Sequence, residues 1–297
     1  MSETIYSAPE SLADAVQQLE QPGAALLAGG TDLLVQLRGG RPAPSNLVDL
    51  KHIPELQQVE ISAETIRIGA GVTGIQITDH AELTRLLPGF VEGTGLIGST
   101  QVQGRATPVG NLCNGSPAAD SVPAMIAAGA SCEITGPDGN RQLAVDDLLI
   151  GPGKHCLKSG EIVTGLLFPT PKTGQADAYL RFIPRTEMDL AVAGAAVNIT
   201  VESGNSGHPT VTAATVVIGG VAPTALVVED AAQALIGTQL DDSALQSAGA
   251  ASTAAARPIS DKRGSAQYRR KIVAVLTRRA ARVAYDRACD QLQGSVN

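Results

Sequence analysis

Aromatic side chains are nearly missing from this 297-residue chain, which has no Trp, three Phe and four Tyr. Because 43% of the residues are still hydrophobic, Ala, Val, Leu and Ile must pack the interior, and a planar ligand would find few rings to stack on. Cys113, Cys132, Cys156 and Cys289 form no CxxC pair and read as buried, reduced thiols. His52, His80, His155 and His208 stand alone, with no HxxxH or Cys–His spacing, so no metal site is expected. GxSxG is absent, and the Asp146-Asp147 and Asp241-Asp242 pairs read as turn or cap residues. No catalytic side chain is therefore expected, and a bound cofactor would have to carry any chemistry.

Excess positive charge is lacking too. A net charge of −7 and a pI near 5.1 exclude nucleic acid as a partner, because its binding rests on neutralising phosphates. The start MSETIYSAPESLADAV has no basic segment followed by an apolar run, so the expected location is the cytoplasm. One uncharged run, Val211 to Val228, has the length of a short membrane span. Gly219, Gly220 and Pro223 interrupt it, and it reads as a buried strand entering a turn. The cations cluster near the end: Lys262, Arg263, Arg269, Arg270, Lys271, Arg278, Arg279, Arg282 and Arg287. Ile272, Val275, Leu276 and Val283 recur among them at helical spacing, giving a packed helix with a charged outer face or, alternatively, a face for a partner.

Along the chain, PESLADAVQQL is a helix capped by Ser11, AALLAG a short strand, TDLLVQLRGG a second helix and NLVDL a strand. This is a small α/β unit with parallel pairing. Short strands LQQVEIS and TIRIGA follow, then a helix over Ile75–Leu86, a Gly-rich segment and a helix over Val122–Ala130. SCEITGP and RQLAV form a hairpin, GEIVTGLLFP is a strand, and TPKTGQADA is the best domain boundary. LAVAGAAVNITVE and TVTAATVVIGG are paired strands joined by SGNSGHP, with AAQALIG, SALQSAGAASTAAA and the basic segment as helices.

Two Gly-rich segments could hold a ligand: LLAGGTDLL, Leu26 to Leu34, and GSTQVQGRATPVGNLCNGSPAADSVPAM, Gly98 to Met125. In the first, Gly29 and Gly30 follow an apolar strand and precede a helix, which lets a diphosphate approach the backbone amides; an ordinary turn and cap would read the same. GAGVTG, Gly69 to Gly74, spells the dinucleotide pattern GxGxxG. The β-branched residues of IQITD argue against a helix opening at its third glycine, so it is expected to be a coincidental turn.

Taken together and in order, LLAGGTDLLVQLR, IGSTQVQGRATPVGNLCNGSPAADSVPAMIAAGA, GEIVTGLLFP, YLRFIPRTEMDLAVAGAAV, IGGVAPT and YRRKIVAVLTRRA resemble the flavoprotein (medium) subunit of molybdenum hydroxylases, the xanthine dehydrogenase and carbon monoxide dehydrogenase family. The resemblance implies an α+β protein: a vanillyl-alcohol-oxidase-type (PCMH) FAD-binding fold of two α/β subdomains, at 1–55 and 56–172, with a C-terminal α+β domain of antiparallel sheet and helices at 176–292. It implies FAD held by the backbone of Leu27, Ala28, Gly29, Gly30, Thr31, Asp32 and Leu33. A turn of Thr107, Pro108, Val109, Gly110 and Asn111 would face the diphosphate from the other side. Ile97 and Gly98 would lie by the flavin or ribityl chain, Asp120 would accept from a cofactor hydroxyl, Ile162 fills the hydrophobic place after a Gly-Glu pair, and Arg181 falls where relatives often have Lys near the flavin.

The implied function is an oxidoreductase subunit passing electrons from the 2Fe–2S clusters of a small partner, through FAD, to an external acceptor, while a large partner holds the molybdenum cofactor. The implied assembly is a dimer of heterotrimers. Two rivals stand beside it: a self-contained FAD oxidase or reductase of the same fold, and a docking or assembly subunit that has lost FAD. The second rests on a departure: where the family has ATIGGN this chain has ATPVGN, and Gln103 replaces a common Arg. A β-branched Val109 disfavours the positive φ that Gly permits, and its side chain would obstruct a diphosphate.

Overall fold

The computed structural model describes residues 4–203 and 208–294. The chain opens with three short strands, β1 (Ile5–Ser7), β2 (Ala25–Leu27) and β3 (Asn46–Asp49), paired in the order β1-β3-β2 and parallel throughout, as expected. Parallel neighbours need crossovers, and α1 (Leu12–Leu19) and α2 (Leu33–Arg38) supply them. Ser11 starts α1 by accepting from the Asp14 N–H at 3.2 Å.

A five-stranded antiparallel sheet follows in the order β4-β5-β10-β6-β7. It is built from β4 (Val59–Ile61), β5 (Thr65–Gly69), the hairpin β6 (Ser131–Gly136) and β7 (Gly139–Ala144), and β10 (Ile162–Pro169). A small hairpin, β8 (Leu149–Gly151) and β9 (Lys154–His155), lies between β7 and β10 after the turn α9 (Val145–Leu148). The sequence of β10 is apolar on both faces because it is the central strand, and Ile162, Leu166 and Phe168 are buried.

Between β5 and β6 come the helices α3 (Gly74–Thr78), α4 (Ala81–Leu86), α5 (Pro88–Thr94), α6 (Thr100–Gln103), α7 (Pro108–Asn114) and α8 (Ser121–Ala127). The structure departs from two expectations. The single helix over Ile75–Leu86 is broken at Asp79-His80, where His80 Nδ1 accepts from Leu83 N–H to start α4. GAGVTG does open a helix at its third glycine, since Gln76 Oε1 accepts from Thr73 N–H and Oγ1 at 2.9 and 2.8 Å and closes the first turn despite the β-branched residues. Those glycines serve protein packing: a Cβ on Gly69 would lie 2.4 Å from Leu56 O, and one on Gly71 would lie 2.0 Å from Gln57 Nε2.

The C-terminal part is a four-stranded antiparallel sheet, β11 (Gln175–Phe182), β12 (Ala193–Glu202), β13 (Thr210–Gly219) and β14 (Leu226–Val227), with α10 (Glu229–Leu235), α11 (Asp242–Ala255) and α12 (Ala266–Gly294). Strand β11 begins inside the stretch expected to be a boundary loop. The connection SGNSGHP lies largely outside the described residues. Alternation along β11–β13 divides two cores: Tyr179, Ala196 and Val217 pack toward the first half, while Ala178, Ala195, Val197 and Ile218 pack under the C-terminal helices. Ala280, Ala281, Ala284 and Ala288 let α12 lie close against that sheet, so small residues do the packing that rings do elsewhere.

The basic helix is only partly an outer face. Arg269 is buried, donating to Val192 O at 2.7 Å and Gly220 O at 3.1 Å while pairing with Asp261 at 2.8 Å. Arg287 reaches across to Asp177 O and Glu92, tying α12 to α5. Among the described residues no helix is long and apolar enough to cross a membrane.

Candidate functional site

A cleft of about 700 Å³ lies where the two Gly-rich segments meet, a size suited to a cofactor. One wall is the chain from Ala28 to Leu33, running from the end of β2 into α2. Gly30 turns it with φ +78°, a conformation that favours glycine. At Gly29 the limit is space, because a Cβ there would lie 2.0 Å from Arg105 O, so the two segments touch backbone to backbone. The N–H groups of Gly29, Gly30, Thr31, Asp32 and Leu33 have no protein acceptor among the described residues. Consecutive amides left open on a cleft are a ready anion site. Asp32 stands at its rim, and desolvation by the surrounding wall raises its carboxyl above the usual range.

The opposite wall is the start of α7, with Ala106, Thr107, Val109, Gly110 and Asn111. Thr107 caps it: its Oγ1 accepts from Gly110 N–H at 2.9 Å and its carbonyl accepts from Asn111 N–H at 2.9 Å. Thr107–Asn111 is thus the first turn of a helix, which removes the anticipated strain at Val109. Pro108 is the first helical residue, where its missing N–H costs nothing. Val109 has no positive φ, since among the described residues only Met188 and Leu240 combine a side chain with one, and its side chain is 6% exposed in the first core. Asn111 accepts from Ser121 Oγ at 2.8 Å through its Oδ1, so its NH2 group remains a donor on the cleft wall.

Ile97 also lines the cleft, but Leu27, Gly98, Pro108, Asp120, Ile162 and Arg181 do not. Leu27 is the buried end of β2, and Gly98, at φ +63°, packs against Val102. Asp120 and Arg181 meet each other instead, at 2.5 Å, with both side chains under a tenth exposed. Tyr179 Oη donates to Asp120 at 2.8 Å, and Arg181 also donates to Leu96 O at 3.2 Å, which puts the network directly behind Ile97. Burial pushes the Asp120 carboxyl up to about 6, against the pull of Arg181 and Tyr179. Ile162 is buried in β10, and its neighbours Glu161 and Val163 reach the cleft in its place.

A third wall escaped the sequence reading: Leu19 to Leu26 on one side and His155 with Leu157 to Glu161 on the other. Its anchor is Glu161, which takes a two-pronged ion pair from Arg141 at 2.8 Å and the Lys158 N–H at 2.7 Å. The Arg141 hydrogen bonds hold that carboxyl down to about 2. The Gly160-Glu161 pair was the available signal. Cys113 also lines the cleft, its thiol pushed up to about 12 by burial, whereas Cys156 is exposed, contrary to expectation.

Residues 2–171 match the family model described as the FAD binding domain in molybdopterin dehydrogenase, and residues 178–284 match the CO dehydrogenase flavoprotein C-terminal domain. The chain belongs to this flavoprotein family. Within it, the chain is 36% identical to the carbon monoxide dehydrogenase medium chain of Afipia carboxidovorans, over 95% of this chain and 97% of that one. It is 29% identical to the xanthine dehydrogenase FAD-binding subunit of Escherichia coli O157:H7, over 97% and 98% of the two chains. Among solved structures, a chain of the cyanide-inactivated Cu,Mo-CO dehydrogenase superposes with a TM-score of 0.90 at 35% identity, covering 97% of this chain and 99% of that one. An open amide row offers hydrogen-bond donors that come without side-chain bulk, which is what a diphosphate needs.

Proposed function

We propose that this chain is the FAD-binding, electron-transferring subunit of a molybdenum hydroxylase complex. The observation that carries it is the row of unpartnered amides from Gly29 to Leu33, facing α7 across the cleft of a family flavoprotein. When bound, FAD supplies the redox chemistry. The chain's own part is to bind and orient. The amides of Gly29–Leu33 take the diphosphate, with the NH2 of Asn111 and the Val109 N–H opposite. Ile97, backed by Leu96 and the Asp120–Arg181 pair, holds the flavin end. The wall at Leu157–Glu161 holds the adenosine end.

The electron donor in this reading is a small partner with 2Fe–2S clusters, fed by a large partner with the molybdenum cofactor, and the working assembly is a cytoplasmic dimer of heterotrimers. In this reading the chain divides into units 1–55, 56–172 and 176–292. Purification of the chain with its neighbours tests the reading. It should be yellow, release FAD on denaturation, and co-purify with molybdenum and iron–sulfur chains. A colourless chain that FAD cannot reconstitute would sink it, and bleaching of the isolated chain by an organic substrate would favour a self-contained oxidase.

A further inference from the structure

The loop that presents open amides on one side has its carbonyls on the other, and two of them meet cations. Lys51 Nζ donates to Ala28 O at 3.2 Å, and Arg105 Nε donates to Gly29 O at 3.2 Å. Lys51 is fixed in turn by Asp49, whose Oδ1 takes its Nζ at 2.6 Å and its N–H at 2.9 Å. Tyr6 Oη donates to the other oxygen of Asp49 at 2.6 Å. Asp49 is buried, and although burial would raise its carboxyl, the bonds from Lys51 and Tyr6 outweigh it and hold the group below its usual range. Arg105 comes from the second Gly-rich segment, whose backbone is pressed against Gly29. The cations thus approach the loop from different parts of the chain.

In a trans peptide the C=O and the following N–H point in opposite directions. Holding Ala28 O on Lys51 therefore turns the Gly29 N–H the other way, and holding Gly29 O on Arg105 does the same for the Gly30 N–H. We infer that Lys51 and Arg105 are positioning residues for the diphosphate, each locking one peptide plane so that two amides are aimed before the anion arrives. Such preorganisation raises affinity because the ligand need not order the loop. The inference rests on the FAD reading above.

The test uses the full chain stripped of flavin, with FAD binding followed by quenching of flavin fluorescence and the melting temperature of the flavin-free chain measured alongside. Lys51→Met and Arg105→Met should each weaken FAD about tenfold, the size of one hydrogen bond to a charged group. ADP, which has the diphosphate and no flavin, should weaken in parallel. Lys51→Arg should restore binding, since a guanidinium can reach both Asp49 and Ala28 O. The melting temperature of flavin-free Arg105→Met should stay within about 2 °C of the parent, whereas Lys51→Met, which leaves buried Asp49 without its cation, should melt lower and Lys51→Arg should recover the loss. Arg105 is exposed, so its variant keeps the test valid if Lys51→Met folds poorly. Unchanged FAD affinity in both Met variants would overturn the inference, as would affinity lost in step with melting temperature and not rescued by Lys51→Arg. A parent chain that takes up no FAD would overturn the cofactor reading itself, a result that needs no variant.

Discussion

Gly29→Ala isolates what holds the two Gly-rich segments together. The added Cβ would sit 2.0 Å from Arg105 O, while ordinary contact begins at 3.4 Å, so one backbone must withdraw by about 1.4 Å. Neither atom is the end of a flexible side chain, and the shift must move the amide row relative to α7. Overpacking of this kind costs about 1–3 kcal/mol of stability. The larger effect should fall on FAD: misaligning two charge-assisted amide bonds costs about 100-fold in affinity. Gly139→Ala provides the control. Gly139 lies in the β6–β7 hairpin at φ +108° with nothing within 4 Å of a new Cβ, so the substitution brings backbone strain without crowding and away from the cleft. It should cost about 1–2 kcal/mol of stability and leave FAD affinity unchanged. Fluorescence titration gives the affinities and urea unfolding the stabilities. If Gly29→Ala binds FAD as tightly as the parent, the contact at Arg105 does not set the cleft and the reasoning fails.

Val109→Gly, which restores the family's glycine, should cost about 2–4 kcal/mol in urea unfolding, because it empties a core position and puts Gly in a helix, yet change FAD affinity by less than about threefold. Arg181→Met should cost about 3–5 kcal/mol by leaving Asp120 buried without its cation. Because the folded Asp120 carboxyl lies at about 6, above its unfolded value of 3.8, the native state binds the extra proton. Its ionisation makes stability fall as pH rises from about 4 through 6, and removing Arg181 should steepen that fall between unfolding curves at pH 5 and 7.5. Glu161 has the opposite sign: held at about 2 against 4.5 unfolded, it stabilises above the unfolded value, and this contribution is lost as pH falls toward 2. Glu161→Gln should flatten the acid limb of the stability profile.

Local signals carried most of the fold. Ser11 before an apolar helix, the Pro-Asp-Gly turn between β6 and β7, and the glycines of LLAGGTDLL each encode their structure within a few residues. The failures came where a local cap was overlooked or where a distant partner decides. Val109 reads as strained only if the segment is a turn; Thr107 and Pro108, a cap and a first helical residue, were the signal that it is a helix. Arg269 belongs to a run of cations that reads as solvated, but two carbonyls from β12 and β13's ends wait for it across the domain. The wall at Leu157–Glu161 was hidden because the partner of its anchor Glu161, Arg141, lies on β7. Helical spacing cannot reveal which charges find buried partners, and strand spacing cannot reveal which loop folds back over a cleft.

The scarcity of aromatics has its consequence in the cleft, where among the described residues no Phe, Tyr or Trp contributes to the lining. Ring stacking is thereby removed as a source of affinity, and aliphatic contact from residues such as Ile97 and Leu157 has no directional preference for a flavin or an adenine. Orientation must then come from the donors. Those donors are main-chain N–H groups whose direction is fixed by where their carbonyls are held, by the clearance at Gly29 and by the turn at Gly30. A site built this way depends little on the side chains that face the ligand. It is sensitive to what lies behind the loop: Lys51, Asp49, Arg105 and the missing side chain of Gly29.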